Sequence, residues 1–354
     1  MTDTLKLFDA DAYLTEFDGE VAECTPCKEG YALVLDQTAF FPEEGGQTAD
    51  EGYLCILSDA SLHSADADEN PSLNKESDAA LMQERQIPVK DVQIRDNVIS
   101  HIVDTPLEAG TKVHGVIDFQ VRYDKMQQHS GEHIFSGTVH QKFGYDNVGF
   151  RLSSNVVTMD FNGPMTPEQA TEVEQFVNQV IWENIPIECW YPEKAELDAL
   201  EYRSKKELEG AVRLVRIGAY DLCACCAPHV HRTGEIGLLK ITGFQNYKGG
   251  VRISINCGKR ALSDYHEKQA SVSAISGLLS AKQEEVTAAV ERLLEENGAW
   301  KQKYNQLLST LLSRRIGELD AHLENVVLFE DTFDPVVSRN AVNEMTARFS
   351  GYCG

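Results

Sequence analysis

The chain of 354 residues has no run of eighteen or more apolar residues, and its start, Met1 to Leu14, has neither a basic region nor an apolar core. Those absences exclude a helical membrane span and a secretory signal, so the protein is expected in the cytosol. Positive charge is scarce: 32 Lys and Arg stand against 56 Asp and Glu, a formal net charge of -24. Such a balance excludes a protein that coats nucleic acid by bulk attraction. A disulfide framework is excluded as well, because the nine cysteines are odd in number and irregularly spaced. Cys24 and Cys27 have no second pair nearby and read as two buried thiols near a turn. What remains is a globular composition, 42% hydrophobic and 25% charged, with length enough for two or three domains.

The charge is unevenly spread. Residues 201–260 hold 11 basic and 5 acidic side chains, a balance of +6, so the rest of the chain carries -30. An acidic body with one basic segment suits a focused anionic partner. Arg213, Arg216, Arg252 and Lys259 in that segment are candidates for phosphate contacts.

Hydrophobic patterning predicts an α+β protein in four parts. Residues 1–118 read as short strands, including Tyr31–Asp36 and Lys112–Phe119, forming a small β-barrel-like domain, with a polar surface insertion at Ser58–Ala80. Residues 119–262 read as an α+β domain. It has helices over Arg122–Lys142 and Thr166–Glu183, the latter with Pro in its first turn, and strands over Val156–Phe161, Val212–Ile217, Gly237–Phe244 and Val251–Ile255. Residues 263–320 form a helical, coiled-coil-like segment. Val272, Leu279, Val286, Val290, Leu293, Asn297, Trp300, Tyr304, Leu307 and Leu311 largely follow the three-four spacing of a coiled-coil seam or helical hairpin, with Gly298 a candidate break. A second copy of the chain is a candidate partner through that seam. Residues 321–354 hold a strand-like run and a helix-like run, too short for a core of their own, and read as the front of an incomplete C-terminal α/β domain.

Metal-ligand residue types occur twice at usable spacing. His129 and His133 lie four apart in Gln-His-Ser-Gly-Glu-His, which sets both imidazoles on one helix face. His229 follows Cys223, Cys225 and Cys226 in Cys-Ala-Cys-Cys-Ala-Pro-His, where Pro228 argues for a loop after the strand ending near Ile217. Three imidazoles and one thiolate would select zinc. The count alone does not choose among the three thiols, although Cys225 matches the spacing of the His pair. Glu132 does not follow the first His directly, so a zincin protease is excluded by position.

Phe40-Phe-Pro-Glu-Glu-Gly-Gly-Gln-Thr-Ala-Asp50, Val116-Ile-Asp118 with Arg122, Gln128-His-Ser-Gly-Glu-His133, and Cys225-x3-His229-Val-His-Arg-Thr-Gly-Glu-Ile-Gly237 occur in an order that resembles alanyl-tRNA editing proteins. These are free-standing relatives of the editing domain of alanyl-tRNA synthetase. The likeness spans roughly residues 25 to 260. Two departures stand out: Cys226-Ala-Pro228 replaces a Gly-Gly-Thr, and Glu44 occupies the place of a glycine. With fewer than 130 residues ahead of the His-x3-His segment, the chain is expected to lack an aminoacylation domain.

The resemblance implies a zinc-dependent aminoacyl-tRNA hydrolase that cleaves the ester of serine or glycine mischarged onto tRNA(Ala), with His129, His133, Cys225 and His229 as ligands. Gly45, Gly46 and Gln47 would bring backbone N–H groups to the substrate unless their loop is an ordinary hairpin turn. Thr158 is the candidate for reading the serine hydroxyl, and Glu235 for orienting a ligand imidazole or merely closing a surface turn. The competing expectation is a tRNA-binding module with a purely structural zinc.

Overall fold

The computed structural model describes residues 3–57, 86–154, 156–204, 211–329 and 334–354. The insertion expected at Ser58–Ala80 lies outside them. Contacts divide the chain into two compact units, Met1–Asp264 and Tyr265–Gly354. The boundary expected at 118/119 falls inside the first.

The first unit opens with an antiparallel seven-stranded sheet built from β1 (Glu16–Cys27), β2 (Gly30–Leu35), β3 (Gly52–Ile56), β4 (Gln86–Val89), β5 (Asp91–Arg95), β6 (Val98–Val103) and β7 (Lys112–Ile117). The spatial order is β4-β3-β7-β1-β2-β6-β5. Strand β1 makes this curl possible: its first half pairs with β7, its second with β2, and the register shifts between Val21 and Glu23. The expected barrel is not closed among the described residues, since no ladder joins the edge strands β4 and β5. The sheet wraps an apolar core that includes Phe17, Leu33, Phe40, Phe41 and Leu54. Cys24 and Cys27 lie on β1, and Cys27 is exposed, contrary to the expectation of two buried thiols.

Helix α1 (Phe119–Phe143) starts where the Asp118 carboxylate accepts from the N–H groups of Gln120 and Val121, and ends at Gly144 with φ 69°. It carries no simple apolar stripe because it is buried almost all round: residues 128 to 139 are all inaccessible. Two glycines permit this. A Cβ at Gly131 would meet Cys257 Sγ at 2.4 Å, and one at Gly137 would meet the Tyr220 carbonyl at 2.4 Å.

Around α1 pack β8 (Asn147–Leu152), β9 (Val157–Phe161), α2 (Pro167–Glu183), β10 (Ile187–Trp190), β11 (Leu214–Ile217), β12 (Asp221–Ala224), β13 (Leu239–Tyr247) and β14 (Gly250–Cys257). They form an antiparallel sheet in the order β8-β9-β14-β13 and another in the order β10-β11-β12. Helix α2 begins on the capping box of Thr166 and Gln169.

Helix α3 (Gly258–Leu279) leads into the second unit. The helical stretch breaks at Ser280, with φ 49°, and not at Gly298, which lies within the 33-residue α4 (Val286–Glu318). The Ser276 hydroxyl closes the break by donating to the Ala281 carbonyl at 2.6 Å. The strand expected over Asn325–Phe329 is reduced to one bridge, Val326 to Cys353. Helix α5 (Pro335–Arg348), capped by Asp334, packs with this segment on the end of α4 around Ile316, Val326, Met345 and Phe349.

Candidate metal centre

His129 and His133 project from α1, one turn apart as their spacing dictates. Cys225 and His229 come from the loop that leaves β12, a strand the sequence did not reveal. The four ligand atoms lie within 4.8 Å of one another, and His129, His133 and His229 are buried. Cys225 Sγ stands 3.6 Å from His129 Nε2 and 3.4 Å from His229 Nε2. Zinc–nitrogen and zinc–sulfur bonds of ordinary length at a tetrahedral angle place nitrogen and sulfur about 3.6 Å apart. The residues present therefore fit a tetrahedral metal.

Each imidazole is turned by a partner on its other nitrogen. His129 Nδ1–H donates to Gln47 Oε1 at 2.8 Å, and His133 Nδ1–H to Asp221 Oδ2 at 2.9 Å. His229 Nδ1 meets Ser130 Oγ at 3.0 Å, and that hydroxyl also accepts from the Val230 N–H at 3.3 Å. This arrangement directs Nε2 inward, as metal-binding histidines are usually held. Asp221 is itself tied to Arg203 Nε at 2.8 Å.

The electrostatics suit a thiolate. Burial alone would raise the Cys225 pKa, but the flanking imidazoles of His129 and His229 outweigh it and hold the thiol well below its usual range. Burial pushes His229 down to about 3, so it is neutral and can ligate. Burial also acts against a charge on His133, yet the Asp221 carboxylate overrides it and raises the pKa to about 9. Asp221 is held below the usual carboxylate range: burial opposes its charge, and His133 and Arg203 prevail.

The Phe40–Asp50 motif is bolted to this centre. Buried Arg122 on α1 binds Asp50 Oδ2 through Nε at 2.8 Å and through its terminal nitrogen, and donates to the carbonyls of Ala12 and Ala39. Lys125 Nζ donates to the Ala49 carbonyl. Between these anchors, Glu44 and Gln47 close a tight turn whose central residues, Gly45 and Gly46, have φ of 63° and 86°. A Cβ at Gly46 would stand 2.6 Å from the Phe150 carbonyl. The turn delivers Gln47, fully buried, onto His129. Its Nε2 is also buried and has no hydrogen-bond partner among the described residues.

Several expected site residues stand elsewhere. Thr158 pairs with Arg151 and Ser254, and its neighbour Met159 turns toward Ser136 of α1. Alternation along β9 therefore puts Thr158 on the opposite face of the sheet from the histidines. Glu235 touches no ligand imidazole; it accepts from the Tyr13 hydroxyl at 2.5 Å and from the Arg232 N–H at 2.9 Å. Arg213 is buried and donates to the carbonyls of Cys225 and Ala227 at 3.1 and 2.9 Å, so it clamps the ligand loop. Arg252 is paired with Asp160 at 2.6 and 2.7 Å and stacked on Tyr247. Arg216 lies over Trp190 with Glu188 at 3.8 Å, and Lys259 is exposed. The partners that sequence reasoning missed, Ser130 and Asp221, lie within four residues of a ligand, and that proximity was their one signal.

Comparison with known proteins places these elements. Residues 212–254, from β11 through β14 and including Cys225 and His229, match the family described as threonyl and alanyl tRNA synthetase second additional domain. Alanyl-tRNA editing protein AlaX-L of Pyrococcus horikoshii is 29% identical over 269 residues, 74% of this chain and 60% of that protein. Alanyl-tRNA editing protein Aarsd1 of Rattus norvegicus is 26% identical over 301 residues, covering 80% and 66%. The chain is a relative of the alanyl-tRNA editing proteins. Alanine–tRNA ligase of Pyrococcus furiosus is 28% identical over 338 residues, 92% of this chain but 34% of the ligase. The chain thus spans about a third of that ligase and 60% of AlaX-L. Among the described residues, no helix is long and apolar enough to cross a membrane.

Proposed function

We propose that this relative of the editing proteins is a cytosolic deacylase acting in trans on the ester of Ser-tRNA(Ala) and Gly-tRNA(Ala), with zinc held by His129, His133, Cys225 and His229. The observation that carries the reading is the convergence of three imidazoles and one cysteine sulfur beside the turn that holds Gln47. When bound, zinc would supply a fixed positive charge and Lewis acidity to orient the acceptor end. The buried Gln47 Nε2–H, without a partner among the described residues, is a donor suited to an oxygen of the ester or its serine; leaving it unmatched costs desolvation energy that substrate would recover. Gly45 and Gly46 allow the backbone to approach the terminal ribose closely. Of the four basic residues first considered, exposed Lys259 and half-exposed Arg216 are the ones able to meet phosphate, whereas Arg213 and Arg252 are occupied.

A second reading has its own support. Four protein ligands fill a tetrahedron, as in structural zinc sites, which suits a tRNA-binding module. Incubating the purified chain with Ser-tRNA(Ala), Gly-tRNA(Ala) and Ala-tRNA(Ala) separates the two. Selective loss of the serine or glycine ester supports the deacylase; tight binding with no loss of any ester overturns it. A second copy of this chain, held through the helical unit, belongs to the same functional reading.

A further inference from the structure

Two places at which this chain departs from the editing-protein pattern, Glu44 and Cys226, meet in space. Glu44 and Gln47 form an antiparallel bridge across the Gly45-Gly46 turn, so their side chains leave it on one face, with β-carbons about 5 Å apart. Gln47 reaches His129 of α1, and Glu44 reaches Cys226, the neighbour of Cys225, so the turn straddles the ligand set. The Cys226 thiol donates to the Glu44 carboxylate, and a Cβ on Gly45 would stand 3.6 Å from the Cys226 sulfur. Glu44 is half-buried, and no cationic side chain pairs with it among the described residues. The adjacent Glu43 turns elsewhere: it is exposed and accepts from Gln93 Nε2 at 3.3 Å.

We propose that Glu44 is an anionic subsite for the α-ammonium of the aminoacyl group, paired on one turn with the Gln47 amide. The inference deepens the deacylase reading and rests on it. The substrate class asks for such a pairing: an α-aminoacyl ester carries its amine on the carbon next to the carbonyl, and an α-amino group is a cation below about pH 8. A neutral donor and a carboxylate delivered side by side match the oxygen and the ammonium, and the carboxylate gains the counter-charge that the described residues do not supply. An ester whose amine is acylated offers no cation and leaves Glu44 facing an amide. Serine, glycine and alanine share the same ammonium, so this subsite selects for a free amine and not among those three side chains.

Hydrolysis of Ser-tRNA(Ala) and of its N-acetyl derivative by the full chain tests the subsite. The native protein should prefer the free amine about tenfold or more in kcat/KM, and Glu44→Gln should abolish that preference by losing the free-amine ester alone. Glu43→Gln should keep it. Were Glu44 only a tether between the turn and the ligand loop, Glu44→Gln would slow both esters together; that result overturns the subsite, as does a native chain indifferent to acetylation. Affinity for adenosine carrying a serylamide in place of the terminal ester, with its amine free or acetylated, repeats the comparison without turnover. If the native chain cleaves neither ester, the deacylase reading fails, and these affinities decide the subsite separately. A preference for the free amine that disappears in Glu44→Gln retains it, and equal affinities overturn it.

Discussion

Asp221→Asn tests whether the centre depends on the carboxylate behind it. Asp221 is 1% exposed in its side chain, accepts from His133 Nδ1 at 2.9 Å and binds Arg203 Nε at 2.8 Å. Asparagine keeps the shape but has one oxygen. It either orients His133 and faces Arg203 with an N–H₂, or serves Arg203 and leaves His133 without an acceptor. Loss of an outer partner of a metal-bound histidine lowers affinity about 10- to 100-fold. The uncompensated Arg203 guanidinium adds destabilisation of roughly 3 kcal/mol, the lower end for breaking a buried ion pair. Competition with a chromogenic chelator measures zinc affinity, and urea unfolding measures stability. Asp146→Asn is the internal control: it bonds His140 at the same 2.9 Å, but both side chains are about half exposed, so its effect should stay under about 1 kcal/mol. Equal zinc affinity in Asp221→Asn and the native chain would refute the role given to Asp221.

Two further expectations concern the scaffold. His101 is fully buried, donating from Nδ1 to the Leu33 carbonyl at 3.2 Å and accepting at Nε2 from Thr38 at 2.8 Å, and burial pushes its pKa down to about 4. The unfolded chain therefore binds the proton more readily. The stability contributed by the neutral ring is intact above about pH 6.5 and is lost as pH falls from there toward 4; it amounts to about 2 kcal/mol between pH 7 and 5. Urea unfolding at the two pH values should show that difference shrink in His101→Leu, and an unchanged difference would count against the assignment. In Gly46→Ala, the positive φ and the contact with the Phe150 carbonyl should cost about 1–3 kcal/mol and shift Gln47 off His129, lowering zinc affinity with it. A fully stable variant with native zinc affinity would show that the turn does not hold the centre.

Local chemistry was readable along the chain. His129 and His133 share a face because helix periodicity puts residues four apart together, and Asp118 and Gly144 mark the ends of that helix by their own conformational preferences. Cys225 and His229 were recognisable as ligand types, and the apolar spacing of α4 needed only composition and period. Which face a strand turns inward, and which distant groups meet, depends on register and packing that no single segment contains. Thr158 could be placed on its strand but not on a side of the sheet, because alternation is symmetric until the sheet packs. Arg213 looked like a surface cation until the Cys225 loop folded over it. Gln47, Ser130 and Asp221 acquired their roles only when three separate segments converged on α1, since an imidazole's orientation is decided by the neighbour that meets its outer nitrogen, and that neighbour is chosen through space.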